Sequence, residues 1–428
     1  MPAVPRSDPL PTNPDVIIVG AGSAGLGAAR RLIKAGTSVI VLEAAPRVGG
    51  RAWTQSDTFG VPVDMGASWV SGADQNPFTK VARKNGFTLV EHTDAGTDLF
   101  CLDGSRATPQ DYEDFAKTGK AVQKAMNKAG KKGRDVPAAD VIPGDMPWAG
   151  AVQSWLGPMD YGVDFDQIST LDDWQGESDQ PSYFVREGLG AVVATKARGL
   201  PIKLNTAVTL VDWSGDGVRV ETSEGTLTAK ACLITVSTGV LASGAIRFTP
   251  ELPAAKMDAV QGLPMGLLVK VPMMFDGARL GLGENNWVTY QVSPQMPAKA
   301  CYFIAWPCGH DYLFGNIGGR LGWELSREDP AVTVDFAMEE LIRLVGSDAR
   351  KHFVQGFRTD WANDPLTMGA YAAVRPGCFG VRKALEAPVA ERVFFAGEAM
   401  GAGHCALVSG AYTSGQKAAR RIMKMLAK

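Results

Sequence analysis

Residues 16–25 read Val-Ile-Ile-Val-Gly-Ala-Gly-Ser-Ala-Gly, and this stretch decides the fold. Four consecutive apolar residues, 16–19, are typical of a strand that is buried on both faces of a parallel sheet. Apolar residues then recur with helical spacing as far as Gly36, a residue type that often follows the end of a helix. A second apolar run, 39–42, completes a strand–helix–strand unit. The sequence therefore predicts an α/β protein with a parallel sheet.

The turn between this strand and its helix fits the pattern G-x-G-x-x-G, with Gly20, Gly22 and Gly25. The first glycine permits a tight turn, the second lets the backbone approach a pyrophosphate, and the third lets the helix pack on the strand. Ser23 and Ala24 begin the helix, where free N–H groups attract phosphate oxygens. These five residues are predicted to form a dinucleotide site.

The residues after the second strand identify the dinucleotide. Glu43 lies 23 residues after Gly20, where a carboxylate accepts hydrogen bonds from ribose hydroxyls and repels a 2′-phosphate. Gly49, Gly50 and Arg51 follow and form a second glycine loop that can approach phosphates. A nicotinamide dehydrogenase does not need this loop. We therefore expect FAD.

Composition and charge limit the classes of binding partner and the cellular location that we expect. The 43 basic and 45 acidic side chains give a net charge of −2, so no overall field attracts nucleic acid or an anionic membrane. No run of about 18 apolar residues predicts a membrane span. The six cysteines lack C-x-x-C spacing and the four histidines lack metal-ligand spacing. We expect a cytoplasmic protein without a metal, and a disordered, proline-rich tail at 1–14. The sequence leaves open whether it is a monomer or a homodimer.

Further motifs occur in three blocks along the chain. The first block comprises residues 20–25, Glu43, 47–54 and 64–69; the second comprises 202–205, 235–241, 246–250, 264–266 and Lys270; the third comprises Trp361, 369–371, 394–398 and 409–415. In this order and at these separations, they resemble the flavin-containing amine oxidase family. That family includes monoamine oxidases, polyamine oxidases and related lysine demethylases. Residues 90–185 are outside the resemblance.

The resemblance implies a two-domain FAD enzyme in which each domain is assembled from separate segments. A Rossmann-like FAD-binding domain is expected from residues 15–77, 188–262 and 380–428. An α+β substrate-binding domain is expected from residues 78–187 and 263–379. The implied small-molecule partners are an amine and oxygen.

The resemblance also implies cofactor contacts beyond the two glycine loops. Glu398 is expected at the ribityl chain and Val208 at the adenine end, through its backbone. The start of the C-terminal helix, near Val408, is expected at the pyrimidine edge of the flavin, where a helix N-terminus stabilises negative charge. The remaining implied contacts are Ala44, Gly66, Ala67, Ser68, Trp69 and Gly397.

Three residues are predicted to take part in the chemistry. Lys270 matches the family lysine that holds a water beside flavin N5, and its apolar neighbours predict a buried strand, where lysine is uncommon. Trp361 and Tyr371 match positions beside the flavin and the substrate amine, and an aromatic face attracts a cation. The alternatives are a lysine that extends to solvent from the strand and, for Trp361, ordinary core packing.

Departures from the family pattern bear on the cofactor and the substrate. Ala370 stands where members with covalent flavin have cysteine, so FAD is expected to be bound non-covalently. Ser71 and Leu407 are predicted to contact substrate, together with Tyr371. Leu407 replaces a second aromatic residue, and Ser71 stands where many polyamine oxidases have histidine or glutamate. Trp69 replaces the carboxylate-binding arginine of amino-acid oxidases, so an α-amino acid is not expected as substrate.

The predicted function is the FAD-dependent oxidation of a small amine at its C–N bond. The imine product is hydrolysed to an aldehyde, and oxygen is reduced to hydrogen peroxide. Two alternatives remain open from the sequence: a carbon–carbon desaturase of the same fold, resembling porphyrinogen oxidases, and a flavin-binding module without turnover.

Overall fold

The structure is a computed structural model, and it describes residues 13–177, 180–297 and 299–428. The tail expected at 1–14 therefore lies outside the described residues, except for its last two positions. Pro14 is buried, and the next residue, Asp15, forms an ion pair with Lys230 at 2.8 Å.

The described residues form short strands and helices. The strands are β1 (Val16–Val19), β2 (Val39–Leu42), β3 (Thr54–Gln55), β4 (Val63–Asp64), β5 (Trp69–Val70), β6 (Leu89–Glu91), β7 (Thr97–Phe100), β8 (Tyr183–Val185), β9 (Ile202–Lys203), β10 (Val208–Asp212), β11 (Val218–Thr222), β12 (Gly225–Ala229), β13 (Ala231–Ile234), β14 (Arg247–Thr249), β15 (Met265–Gly266), β16 (Leu268–Phe275), β17 (Trp287–Tyr290), β18 (Tyr302–Ile304), β19 (Tyr312–Gly318), β20 (Phe353–Gly356), β21 (Tyr371–Ala372) and β22 (Val393–Phe395). The α-helices are α1 (Ser23–Lys34), α2 (Pro77–Lys84), α3 (Pro109–Lys131), α4 (Ala149–Ser154), α5 (Thr170–Trp174), α6 (Leu189–Ala194), α7 (Thr238–Ser243), α8 (Ala254–Gln261), α9 (Gly319–Leu325), α10 (Pro330–Val345), α11 (Ala349–His352), α12 (Val381–Glu386) and α13 (Val408–Leu426). A π-helix covers Trp155–Tyr161.

A five-stranded parallel sheet in the order β22-β13-β1-β2-β9 contains the predicted strand–helix–strand unit. Its central strands are buried on both faces, as their continuous apolar runs predict. One face packs against α1 and α13, and the other packs against strands of the four-stranded sheet β12-β11-β10-β14. The predicted Rossmann-like fold is confirmed.

A second sheet has six strands in the order β20-β16-β19-β18-β17-β7, and its neighbours are antiparallel except for β17 and β7. Its aromatic and aliphatic side chains form a separate core, against which α10 packs. Strands and helices are therefore combined here as α+β.

The two sheets follow the expected division of the chain. Every strand of the parallel sheet lies within 15–77, 188–262 or 380–428, and every strand of the six-stranded sheet lies within 78–187 or 263–379. Helix α2, however, runs across the expected boundary at residue 77, and its Phe78 ring meets Tyr412 of α13 at a centroid distance of 5.3 Å. The boundaries themselves stay a prediction. Within the described residues, no helix is both long and apolar enough to cross a membrane.

Candidate active site

A cavity of about 620 Å³ lies where the carboxyl ends of the parallel strands meet the six-stranded sheet. Glu43 and Thr235 line it just beyond β2 and β13, while Lys270 and Trp287 line it from the second sheet. The volume falls within the usual range for cofactor and ligand sites. In open α/β sheets the carboxyl end of the strands is also where ligands bind.

The cavity brings together residues that lie far apart in the sequence. Of the predicted cofactor residues, those on its wall are Gly20, Gly22, Ser23, Ala24, Glu43, Ala44, Gly49, Gly50, Arg51, Gly66, Ala67, Ser68, Trp69, Val208, Gly397, Glu398 and Val408. The predicted catalytic and substrate residues Lys270, Trp361, Tyr371, Ser71 and Leu407 line the same cavity. Gly25 is not on the wall. A Cβ atom there would lie 1.9 Å from the carbonyl oxygen of Gly20, which fits the expected role of Gly25 in packing the helix on the strand.

The two glycine loops lie side by side. The Gly49 N–H donates to the Ala21 carbonyl at 2.9 Å, and Gly22 and Gly49 are bridged in parallel. Gly22 is the N-cap of α1 without a side-chain cap, and a Cβ atom there would meet no atom within 4 Å. Free helix N–H groups beside open space form a cradle that fits a pyrophosphate.

Glu43 is held by the backbone at the end of β2. Its Oε2 accepts from the Ala21 N–H at 2.6 Å, and its Oε1 accepts from the Ala45 N–H at 2.8 Å. Burial raises the pKa of Glu43, and these backbone N–H groups offset part of that rise. Each oxygen keeps a further lone pair, which fits the hydroxyl donors of a ribose.

The start of α13 supplies a second free helix N-terminus to the cavity. Its N-cap, Leu407, provides no side-chain cap. The Ser23 hydroxyl donates to the Val408 carbonyl at 2.8 Å, so the beginnings of α1 and α13 are joined directly. Such a helix end stabilises negative charge on a bound group. Together with the glycine loops and Glu43, it fits the parts of FAD.

Lys270 points from β16 into this interior. Its side chain is 3% exposed, so it does not extend to solvent. Its amino group donates to the Ser68 hydroxyl and, at 3.3 Å, to the Asp64 carbonyl, and it lies 4.7 Å from the centre of the Phe314 ring. Burial lowers the pKa of Lys270 to about 8, and the charge of Asp64 partly opposes this effect.

The carboxylate of Asp64 supports the cavity wall from behind, a role that the sequence did not reveal. Helix α6 has a glycine N-cap without a side-chain cap, and Asp64 caps it instead by accepting from the N–H groups of Leu189 at 2.9 Å and Gly190 at 3.2 Å. Burial raises the pKa of this carboxyl, while the hydroxyl of Thr54 and the backbone bonds lower it. Asp64 thus fixes the segment that holds Lys270.

Trp361 and Tyr371 are both tied to backbone carbonyls. The Trp361 indole is 6% exposed and donates to the Met65 carbonyl at 2.9 Å. The Tyr371 hydroxyl donates to the Met159 carbonyl at 3.2 Å, in the π-helix. Burial raises the pKa of Tyr371, helped by the charges of Asp160 and Glu398, so the phenol stays neutral. Both rings are therefore held in fixed orientations at the cavity wall.

A wall of aromatic residues completes the cavity, and only part of it was predicted. Trp69 stacks on Trp287 with 5.6 Å between ring centroids, and Trp155 meets Trp287 edge-on at 4.4 Å. The Trp69 indole N–H donates to His92 Nδ1 at 3.1 Å, and His92 Nε2 lies 2.8 Å from the Asn285 carbonyl. His92 is therefore neutral with its proton on Nε2, in agreement with burial that lowers its pKa. No sequence signal marked His92 or Trp287, since these contacts join distant segments.

Comparison with known proteins agrees with this geometry. The sequence model of the family described as flavin-containing amine oxidoreductase matches residues 23–159 and 165–423. The chain belongs to this family. As a flavin-containing amine oxidoreductase, it uses FAD, and the cavity described above fits that cofactor.

Polyamine oxidases and lysine-specific histone demethylases are among the relatives of this chain. Polyamine oxidase 4 of Oryza sativa subsp. japonica is 31% identical, with 100% of this chain and 91% of that protein covered. Probable polyamine oxidase 4 of Arabidopsis thaliana is 33% identical, with 96% and 88% covered. Lysine-specific histone demethylase 2 of Homo sapiens is 29% identical over 96% of this chain but only 53% of its own length.

Solved structures of putrescine oxidase share the fold of this flavin-containing amine oxidoreductase. Wild-type putrescine oxidase bound to putrescine superposes with a TM-score of 0.79 at 21% identity, covering 97% of this chain and 99% of that one. A mutant from a redesign of its cofactor binding gives a TM-score of 0.81 at 20% identity, covering 96% and 99%. At this identity the likeness concerns the fold alone.

Proposed function

We propose that the chain oxidises a small amine to an imine, which water hydrolyses to an aldehyde, with oxygen reduced to hydrogen peroxide. The observation that carries the proposal is the enclosed amino group of Lys270, held by Ser68 at the wall of a cavity that also contains Tyr371. Burying an amino group costs free energy, and buried ionisable groups with shifted pKa values are found preferentially at functional sites.

The residues around the cavity have separate tasks in this proposal. FAD, when bound, supplies the acceptor for two electrons and a proton. Trp361 and Tyr371 present aromatic faces that orient the amine, and the stacked Trp69 and Trp287 exclude water from it. Lys270, with a pKa near 8, is mostly protonated at neutral pH and provides positive charge for the reduction of oxygen.

The cofactor assignments of individual residues belong to the same proposal. The glycine loops and the start of α1 hold the pyrophosphate, Glu43 holds a ribose, Val208 lies at the adenine, and Glu398 lies at the ribityl chain. The start of α13 at Val408 lies at the pyrimidine edge. Ala370 leaves no thiol for a covalent link, so FAD is bound non-covalently. A cytoplasmic location stays a prediction from the sequence, and whether the protein is a monomer or a homodimer stays open.

One charge bears on the choice of amine. Asp160 is exposed, lines the cavity, and lies close enough to Tyr371 for its charge to raise the pKa of that phenol. A carboxylate in such a position attracts a second, cationic nitrogen of a substrate. Diamines and polyamines therefore take first place among the amines to be tested, although Ser71 and Leu407 depart from the family pattern.

The decisive experiment is anaerobic bleaching of the bound flavin by mono-, di- and polyamines and by a methylated-lysine peptide, followed by assay of peroxide after oxygen is admitted. We expect bleaching by at least one small amine and stoichiometric peroxide. Bleaching only by the peptide would assign the chain to the demethylase group instead. If no amine bleaches the flavin, the proposal is wrong, and either a carbon–carbon desaturase or a binding module without turnover takes its place.

A further inference from the structure

Asn316 on β19 lies directly opposite Lys270 on β16. The Lys270 N–H donates to the Thr359 hydroxyl at 2.9 Å, and the Lys270 carbonyl accepts from the Thr359 N–H at 2.9 Å. Both backbone groups of Lys270 therefore point away from β19. Lys270 and Asn316 form a pair without mutual backbone hydrogen bonds, the arrangement that brings opposing side chains closest together.

The carboxamide of Asn316 lines the cavity with an unmet hydrogen-bonding group. The residue is 3% exposed, and its Oδ1 has no hydrogen-bond partner among the residues that the structure describes. Leaving a buried amide oxygen without a donor is unfavourable, and native structures rarely do so without a reason. A carboxamide turns easily about its last torsion, so its oxygen can be presented to a ligand in the cavity.

The surrounding groups do not supply the missing donor. The Lys270 ammonium gives two of its three N–H groups to Ser68 and the Asp64 carbonyl, and the third makes no hydrogen bond to Asn316 Oδ1 within the described residues. Tyr302, opposite Asn316 on β18, donates its hydroxyl to the Tyr290 carbonyl at 3.2 Å. The cavity beside the lysine therefore offers this oxygen to a ligand, and a ligand N–H group is a donor that suits it.

We propose that Asn316 accepts a hydrogen bond from the nitrogen of the substrate amine and thereby selects primary and secondary amines over tertiary ones. This inference rests on the proposed amine oxidation. A neutral primary or secondary amine carries an N–H that can donate to Asn316, whereas a neutral tertiary amine has none. The bond fixes the direction of the nitrogen lone pair and so orients the carbon that is oxidised.

The test compares two substrates in three proteins. The substrates are the amine that bleaches the flavin fastest and its N,N-dimethyl derivative; the proteins are wild type, Asn316→Leu and Ile317→Val. Ile317 is the neighbour of Asn316 on the same strand and faces away from the cavity into the core. The measured quantity is the ratio of anaerobic flavin-reduction rate constants at low substrate, N–H amine over dimethyl amine.

We expect Asn316→Leu to lower this ratio about tenfold, the usual effect of losing one hydrogen bond. Ile317→Val should leave the ratio, the FAD content and the oxygen reaction as they are in wild type. An unchanged ratio in Asn316→Leu, or an equal fall for both substrates, would overturn the inference. If the leucine variant does not bind FAD, Asn316→Ala removes the same acceptor without added bulk. If no amine bleaches the flavin of the wild-type protein, the proposed amine oxidation is wrong. This outcome differs from a failure of the Asn316 inference alone, in which wild type is active but the ratio does not change.

Discussion

Arg51 and Glu398 form an ion pair at 2.9 Å, although 347 residues separate them in the sequence. Their side chains are 23% and 9% exposed. Arg51 also donates to the Ala370 carbonyl at 2.9 Å, and Glu398 accepts from the Ala372 N–H at 3.2 Å. The second glycine loop and the C-terminal motif are thus locked to each other at the wall of the cavity, and to the strand that carries Tyr371.

Replacing Glu398 by glutamine should weaken FAD binding. The change removes the counter-charge that holds Arg51 and the second glycine loop at the cavity wall, so FAD binding must supply the free energy that positions this loop. A charged hydrogen bond contributes about 1.5–3 kcal/mol, so the Kd for FAD should rise about tenfold or more. Glu339→Gln is the matched control, because its pair with Arg350 is exposed and should be nearly neutral. Fluorescence titration of the apoprotein with FAD measures both. Equal affinities for FAD in the two variants would show that the Arg51–Glu398 ion pair does not contribute to FAD binding.

The two glycines of the first loop should respond in opposite ways to alanine. Gly22 has a φ of −73° and open space at its Cβ, so Gly22→Ala should fold with a stability within about 0.5 kcal/mol of wild type. Its methyl group would occupy the phosphate cradle and reduce FAD affinity at least tenfold.

In Gly25→Ala the Cβ would clash with the Gly20 carbonyl, so the free energy of unfolding should fall by about 3 kcal/mol or more. Thermal melts and FAD titration separate the two effects; a Gly22→Ala protein that binds FAD normally would exclude this loop as the phosphate site.

Lys270→Met should slow the reaction of the reduced enzyme with oxygen. The substitution keeps the length of the side chain but removes the positive charge, and we expect the second-order rate constant for oxygen to fall at least tenfold. Stopped-flow mixing of anaerobically reduced protein with oxygenated buffer measures it. A rate constant equal to that of wild type would show that Lys270 does not promote the reaction with oxygen.

A second buried lysine provides the control for Lys270→Met. Lys256 is buried outside the cavity, where its amino group donates to the carbonyls at the end of α12: Ala384 at 2.9 Å, Leu385 at 2.7 Å, and Ala387. Lys256→Met should lower the unfolding free energy by about 2 kcal/mol through the loss of these bonds. Its oxygen reaction should match that of wild type. A slower oxygen reaction in this variant would mean that the loss of any buried lysine, rather than of Lys270, causes the effect.

The two half-reactions should depend on pH in opposite directions. The substrate amine has a pKa of about 10, similar to lysine, and reacts in its neutral form, so kcat/KM should rise with pH up to that value. Burial lowers the pKa of Lys270 to about 8, so its positive charge is present below pH 8 and is lost above it. The rate constant for oxygen should therefore fall as pH rises through 8. Lys270→Met should lose the second dependence and keep the first; a flat kcat/KM profile on a confirmed amine would contradict the first.

Local sequence was sufficient to predict the cofactor end of the site. The run 16–25 specifies a buried strand, a tight turn and a helix within ten residues, and Glu43 follows at the end of the next strand. Neighbouring residues also indicated that Lys270 lies in a buried strand. These features depend on backbone conformation and apolar spacing over a few residues, which the chain carries wherever it folds.

Sequence reasoning could not predict the partners of Lys270. Asn316 faces it because β16 and β19 pair in one register, and a shift by one residue would turn Asn316 to the opposite side of the sheet. His92 reaches Trp69 only through tertiary packing of segments with no common motif. The cap that Asp64 places on α6 likewise spans 125 residues. The amino-acid sequence by itself thus determined the fold class and the use of FAD. Only the tertiary structure decided which polar groups surround the amino group of Lys270, because strand register and the packing of distant segments depend on the whole core.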